Sequence, residues 1–257
     1  MLRLGPRELP ADALQRMHAG TLGGVVVEGL LKPELCAAVV HRLKRLDVPH
    51  HRLGVDFAGT TLGLGLDKSR PDWSDYFQDQ RDSLAPIEGL FGRLPLSALF
   101  LGLLGRMSQV PVQRARHSQG RDYTPYTVRC LPETGGLPPH IGLEQHTRPP
   151  YADLTPQLDG VTQLSFFVML QKPARGGLLR LYDLDWQRMG PEHWHRGRVR
   201  VDVTSLPSHD ILLDTGDALV FDGGRWLHRV TAVKGVRWTA GGFLARAEHG
   251  SNFFVWS

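Results

Sequence analysis

Short apolar runs separated by glycine, proline and aspartate fill the second half of this chain, whereas longer apolar stretches of helical spacing fill the first. Residues 23–31, GGVVVEGLL, are β-branched and read as a strand. KPELCAAVVHRLKRLD follows and reads as an amphipathic helix. Pro33 stands near its first position, Glu34 lies in its first turn, and Leu35, Ala38, Val39 and Leu43 fall on one face. Residues 84–109, LAPIEGLFGRLPLSALFLGLLGRMSQ, form an apolar helical segment broken at Pro95. From about residue 120 the period shortens. YTVRCL (126–131), QLSFFVMLQ (163–171), GLLRLYD (177–183), RVRVDV (198–203), DALVFD (217–222), LHRVTAV (227–233) and VRWTAGGFLA (236–245) are strand-like, with turn residues between them.

This pattern predicts an α+β, mainly β protein. Its helices, chiefly within 1–119, support a rolled sheet or jelly roll over about 120–245. The helices need a sheet to cover, so residues 1–257 are read as a single domain. No internal repeat or low-complexity linker divides them.

Composition narrows the class. Of 257 residues, 41% are hydrophobic and 22% charged, an ordinary globular balance. No apolar run is long enough for a membrane span, and two prolines interrupt the first residues where a signal peptide would need a continuous apolar core. The two cysteines, Cys36 and Cys130, are far apart and read as buried thiols in a reducing compartment, hence a cytoplasmic location. The net charge of +4 is explained first by solubility and is also compatible with an anionic small-molecule substrate. It forms no aromatic-interleaved basic patch of the nucleic-acid kind.

Candidate chemistry gathers on the β half. LPPHIGLEQH (137–146) carries His140, with Gly142 two residues on, where many metal sites hold a carboxylate. GDALVFDGGRWLHRV carries His228, and VRWTAGG carries Arg237 and Thr239. In a strand residues i and i+2 point the same way, so His140 and position 142 face one cavity, and Arg237 and Thr239 share a face. Glu144 has the parity of His140, but i to i+4 along a strand spans about 13 Å, so it reaches a shared metal only if the chain turns after Gly142. Asp153 is a more remote substitute. Tyr126 and Arg129 lie on a strand expected to line the same pocket. Gln145 and His146 are further pocket candidates, equally explained by a loop position, and Trp226 is a pocket-wall candidate better explained as core. His50, His51, His193 and His195 sit in polar, turn-like sequence and read as surface residues. Any single member of the 12 histidines is more simply structural than metal-binding.

Taken together, YTVRCLPETGGLPPHIG, LSFFVMLQKPARGGLLRLYD and GDALVFDGGRWLHRVTAVKGVRWTAGGFLA resemble the prolyl-hydroxylase-like iron(II)/2-oxoglutarate oxygenases. LLKPELCAAVV is similar to the helix that opens that fold. The resemblance covers roughly 24–45 and 120–245 and implies a double-stranded β-helix. It implies His140 and His228 as Fe(II) ligands, with Arg237 pairing the distal carboxylate of 2-oxoglutarate and Thr239 bonding the same group. Gly142 departs from the family's H-x-D pattern and matches the H-x-G non-haem iron halogenases. There chloride fills the open iron position, O2 is consumed, and a substrate carbon radical takes chlorine instead of hydroxyl. The implied function is chlorination of an unactivated sp3 carbon. A hydroxylase with a displaced carboxylate and a catalytically inert β-sandwich that binds a ligand are the alternatives. Substrate identity, free or carrier-tethered substrate, and oligomeric state are not legible.

Overall fold

Continuous runs of β-branched and aromatic residues produce strands that bury both faces. The computed structural model describes residues 1–53, 58–160, 162–195 and 198–257. Positions 54–57, 161 and 196–197 lie outside the described residues, and so does the side chain of His195.

From the N-terminus run β1 (Leu2–Leu4), α1 (Ala13–His18), β2 (Gly24–Val27), α2 (Pro33–Leu43), β3 (His50–Arg52), β4 (Thr60–Leu62), α3 (Ser74–Gly89) and α4 (Leu96–Arg106). Next come β5 (Val112–Arg114), β6 (Thr127–Leu131), β7 (Leu137–His140), β8 (Leu164–Gln171), β9 (Arg175–Gly176) and β10 (Leu179–Asp185). The chain closes with β11 (Trp194–His195), β12 (Arg198–Val199), β13 (Ser208–Ile211), β14 (Ala218–Phe221), β15 (Trp226–Val230), β16 (Val233–Lys234), β17 (Arg237–Arg246) and β18 (Phe253–Trp256).

The major sheet has the order β1-β2-β14-β8-β17-β6-β4-β3, with β18 and β5 added beside β17. The minor sheet is β13-β10-β15-β7, antiparallel throughout. One face of the major sheet, including Val25, Val27, Phe166, Val168, Trp238 and Ala240, packs against α2 and α4 through Val39, Leu43, Phe100 and Leu104. The other face presents Val26, Phe167, Met169 and Leu219 to Leu179, Leu181 and Ile211 of the minor sheet. Burial on both faces is why GVVV and ALVF read as continuous apolar runs rather than alternating ones. The expected α+β jelly roll is the observed architecture.

Several expectations are corrected in detail. The buried face of α2 is Cys36, Val39, Val40 and Leu43, a clean i, i+3, i+4, i+7 stripe. Leu35 is solvent-exposed, because the helix turns one position further than the reading centred on Leu35 and Ala38. The apolar segment 84–109 begins inside α3 and breaks at Pro95 as expected, where α4 opens. Only Arg198–Val199 of RVRVDV pairs as strand. β18 was not anticipated, although its FFVW is nearly fully buried. Among the described residues no helix is long and apolar enough to cross a membrane.

Candidate active site

The minor sheet places β7 beside β15 with His140 and His228 as direct cross-strand partners, their ring centroids 4.2 Å apart. Each imidazole is oriented by its own strand. His140 Nδ1 donates to the Pro138 carbonyl at 2.8 Å, and His228 Nδ1 donates to the Trp226 carbonyl at 2.8 Å. With the proton held on Nδ1, both rings keep Nε2 as a bare lone pair, the tautomer a divalent metal takes. Burial disfavours the charged form of both. It pushes His140 down to about 4 and His228 well below the ordinary imidazole range, so both are neutral at physiological pH. Phe221 stands edge-on to His228, with centroids 5.1 Å apart.

β7 ends at His140. Ile141 remains extended, and Gly142 opens a 3₁₀ turn over Gly142–Gln145. Position 142 therefore belongs to a turn, which corrects the expectation that a continuing strand carries both residues. The Gly142 N–H donates to the Gly223 carbonyl at 2.9 Å. A side chain at 142 would start 2.7 Å from Gln163 Nε2 and 3.2 Å from the Gly223 oxygen. The turn carries Glu144 to β12, where Oε1 accepts the Val199 N–H at 3.0 Å. Asp153 accepts from the Ser118 N–H and from the Tyr123 hydroxyl at 3.1 Å. Among the described residues, no three His, Cys, Asp or Glu side chains form a group that could hold a metal ion.

The major sheet contributes the cations. Thr239 on β17 is the cross-strand partner of Arg129 on β6, and Arg237 lies two residues away on the same face of β17. Arg237 is buried, with its guanidinium carbon 5.3 Å from the Phe167 ring centroid. The Nε atoms of Arg237 and Arg129 have no hydrogen-bond partner among the described residues. Burial, reinforced by the nearby Arg129 charge, pushes Arg237 down to about 9. Arg129 is lowered mainly by its own burial, and its charge also bears on both histidines. A buried and a half-buried guanidinium, each with an unpaired Nε donor, make a strong field for a carboxylate-bearing ligand.

The remaining candidates separate cleanly. Tyr126 packs in the helix-covered core 5.7 Å from Phe100, which corrects its assignment to the pocket; it shares parity with Val128, not with Arg129. Trp226 contributes its carbonyl to His228. Gln145 Oε1 accepts the Tyr151 hydroxyl at 2.8 Å. His146 lies in the turn that follows the 3₁₀ segment, and its Nε2 meets Gln163 Oε1 at 2.8 Å. His51, expected at the surface, bonds the buried Asp79 at 2.5 Å. Sequence reasoning missed Gln163 and Asp222, which flank strands, and Phe167, in the middle of β8; none of them carries a spacing motif. A broad surface groove lined by Phe77, Arg81, Leu84, Glu88, Arg114 and Arg121 includes none of these site residues.

Solved structures share this architecture at low identity. The N-substituted L-amino acid dioxygenase from Burkholderia ambifaria AMMD is 14% identical, with 95% of this chain and 91% of that chain covered and a TM-score of 0.56. The epimerase SnoN in complex with Fe3+, alpha ketoglutarate and nogalamycin RO is 15% identical, with 90% and 83% covered and a TM-score of 0.51. An oxidoreductase of the 2OG-Fe(II) oxygenase family from Burkholderia pseudomallei is 12% identical, with 100% and 98% covered and a TM-score of 0.50. No curated protein sequence matches. The profile of the carrier-protein-independent halogenase WelO5 matches residues 7–257, and with all but its first six residues so matched, this chain belongs to the WelO5 halogenase family.

Proposed function

We propose that this protein is an Fe(II)/2-oxoglutarate-dependent halogenase that chlorinates an unactivated sp3 carbon of a small molecule carried by no partner protein. The observation that carries the reading is the pair of bare, inward-held Nε2 atoms of His140 and His228 beside a residue, Gly142, that has no side chain to offer. Membership of the WelO5 family and the fold shared with iron- and α-ketoglutarate-bound structures support it.

The donor set fits ferrous iron: two neutral imidazoles with fixed tautomers suit Fe(II) and leave room for a chelating keto acid and small anions. Iron with 2-oxoglutarate, O2 and chloride would supply the oxidising power to break a C–H bond and the chlorine to replace it. Arg237 takes the distal carboxylate of 2-oxoglutarate through its guanidinium fork, and the Thr239 hydroxyl donates to the same group. Arg129, opposite Thr239, adds a second positive charge that draws the dianion into the space between the sheets. Phe167 shields the Arg237 end from water, so the ion pair forms in a low-dielectric setting. Glu144, committed to Val199, leaves the iron's remaining positions to exogenous ligands.

The test is an anaerobic titration of the Fe(II)-loaded protein with 2-oxoglutarate and then chloride, followed through the metal-to-keto-acid charge-transfer absorption. A chloride-dependent shift of that band is expected, and chlorinated product once a substrate is supplied. A band indifferent to chloride, with hydroxylated product at every chloride concentration, would overturn the reading in favour of a hydroxylase.

A further inference from the structure

Gln163 faces the backbone of Gly142 from the residue that precedes β8. Its side chain is fully buried, at 0% exposure. Its two amide ends have different fates. Oε1 is engaged by His146 Nε2 at 2.8 Å, and His146 is itself enclosed by Tyr151 and Trp256. Thr155 Oγ1 stands 3.4 Å from His146 Nδ1 and 3.5 Å from the His146 carbonyl oxygen; with the ring proton on Nε2, His146 donates to the Gln163 oxygen. The other end, Nε2, has no hydrogen-bond partner among the described residues and points at Gly142, 2.7 Å from where a side chain would begin. A buried amide donor without an acceptor is costly. Here the donor is held in that direction by the half-buried His146.

Resting on the halogenase reading, we propose that Gln163 Nε2–H donates to the halide bound beside Gly142. His146 is then the positioning residue that keeps the nitrogen, rather than the oxygen, turned toward the anion. Charge-assisted hydrogen bonds of this kind are stronger than neutral ones, and a donor at this place favours a monatomic anion. The same nitrogen obstructs a protein carboxylate, because the first carbon of any side chain at 142 meets it. Gly142 and Gln163 thus act together: one leaves the space open and the other gives it a positive lining.

The test compares wild type with Gln163→Met and Gln163→Glu, each loaded anaerobically with Fe(II) and 2-oxoglutarate. Chloride and bromide are titrated through the charge-transfer band, and bromide is located by anomalous scattering in crystals. Gln163→Met is expected to raise the halide Kd about tenfold or more, the scale of one charge-assisted hydrogen bond. The 2-oxoglutarate Kd should stay within about twofold, with the thermal midpoint near that of wild type. Gln163→Glu replaces the donor by an anionic acceptor of the same shape and is expected to abolish halide binding. It carries the comparison alone if the methionine variant does not fold. A halide Kd in Gln163→Met within about twofold of wild type would overturn the proposal and leave the halogenase reading standing. Parallel loss of halide and 2-oxoglutarate binding would also overturn it, because the amide would then serve general integrity. Wild-type protein that binds no halide would remove the halogenase reading and this proposal with it.

Discussion

The backbone N–H of Gly142 donates to the carbonyl of Gly223 at 2.9 Å, tying the turn that follows the His140 strand to the turn that precedes the His228 strand. The second turn is built by Asp222, whose carboxylate accepts from both the N–H and the Nε–H of Arg225 at 3.0 and 2.9 Å. The two histidine strands are thus joined twice, by their ladder pairing and by this turn-to-turn bond.

Gly142→Asp tests why glycine stands there. Its backbone is not in the left-handed region, so the demand is for space, with contacts at 2.7 Å to Gln163 and 3.2 Å to Gly223. Overpacking of this kind costs about 1–3 kcal/mol. We expect Gly142→Asp to lower stability to urea by that amount and to lose the chloride response. Adding Gln163→Ala should recover much of the stability. A double-mutant cycle with no coupling between the two positions would contradict the shared-space argument.

Each imidazole is predicted to be indispensable for metal. His140→Ala and His228→Ala should each weaken cobalt(II) affinity by more than the roughly 10–100-fold typical of outer supporting residues. Equilibrium dialysis, with circular dichroism as the folding control, reads this directly. Near-native cobalt affinity in either variant would take that histidine out of the metal set.

Arg237→Met should act with opposite signs on the empty and ligand-bound protein. Removing a buried guanidinium whose Nε is unpaired relieves desolvation, so the unliganded melting temperature should rise or hold. The affinity for 2-oxoglutarate should fall about 10–100-fold, the scale of lost charge-assisted hydrogen bonds. Calorimetry and thermal shifts measured with and without 2-oxoglutarate separate the two effects. An unchanged Kd would show that another group grips the co-substrate.

Asp222 makes stability depend on pH. Burial pushes its carboxyl up to about 6 despite the opposing Arg225, against an ordinary value of 3.8. The folded state therefore holds the proton more tightly than the unfolded chain. The resulting stabilisation is complete below the unfolded value and is lost as pH rises through about 6, a change of at most about 3 kcal/mol. Asp222→Asn removes this titration. Its unfolding free energy relative to wild type should shift in its own favour between pH 4 and pH 7, and a pH-independent difference would refute the assignment.

The strands, the helix-first order and the pair of histidines were legible because they depend on local rules. Continuous apolar, β-branched runs mark VVV and ALVF as sheet interior whatever surrounds them, and H-x-G, the second histidine and the following arginine keep their order along the chain. Tertiary structure decided what those rules leave open. It ended β7 at His140, so that Gly142 became a turn residue and Glu144 swung to Val199. It put Tyr126 among the helices and Arg129 between the sheets, since one step along a strand reverses the face. It also brought Gln163 against Gly142 across 20 intervening residues. A hydrogen bond or a steric limit between distant segments has no periodicity of its own, and so leaves no trace in the chain until the sheets close on each other.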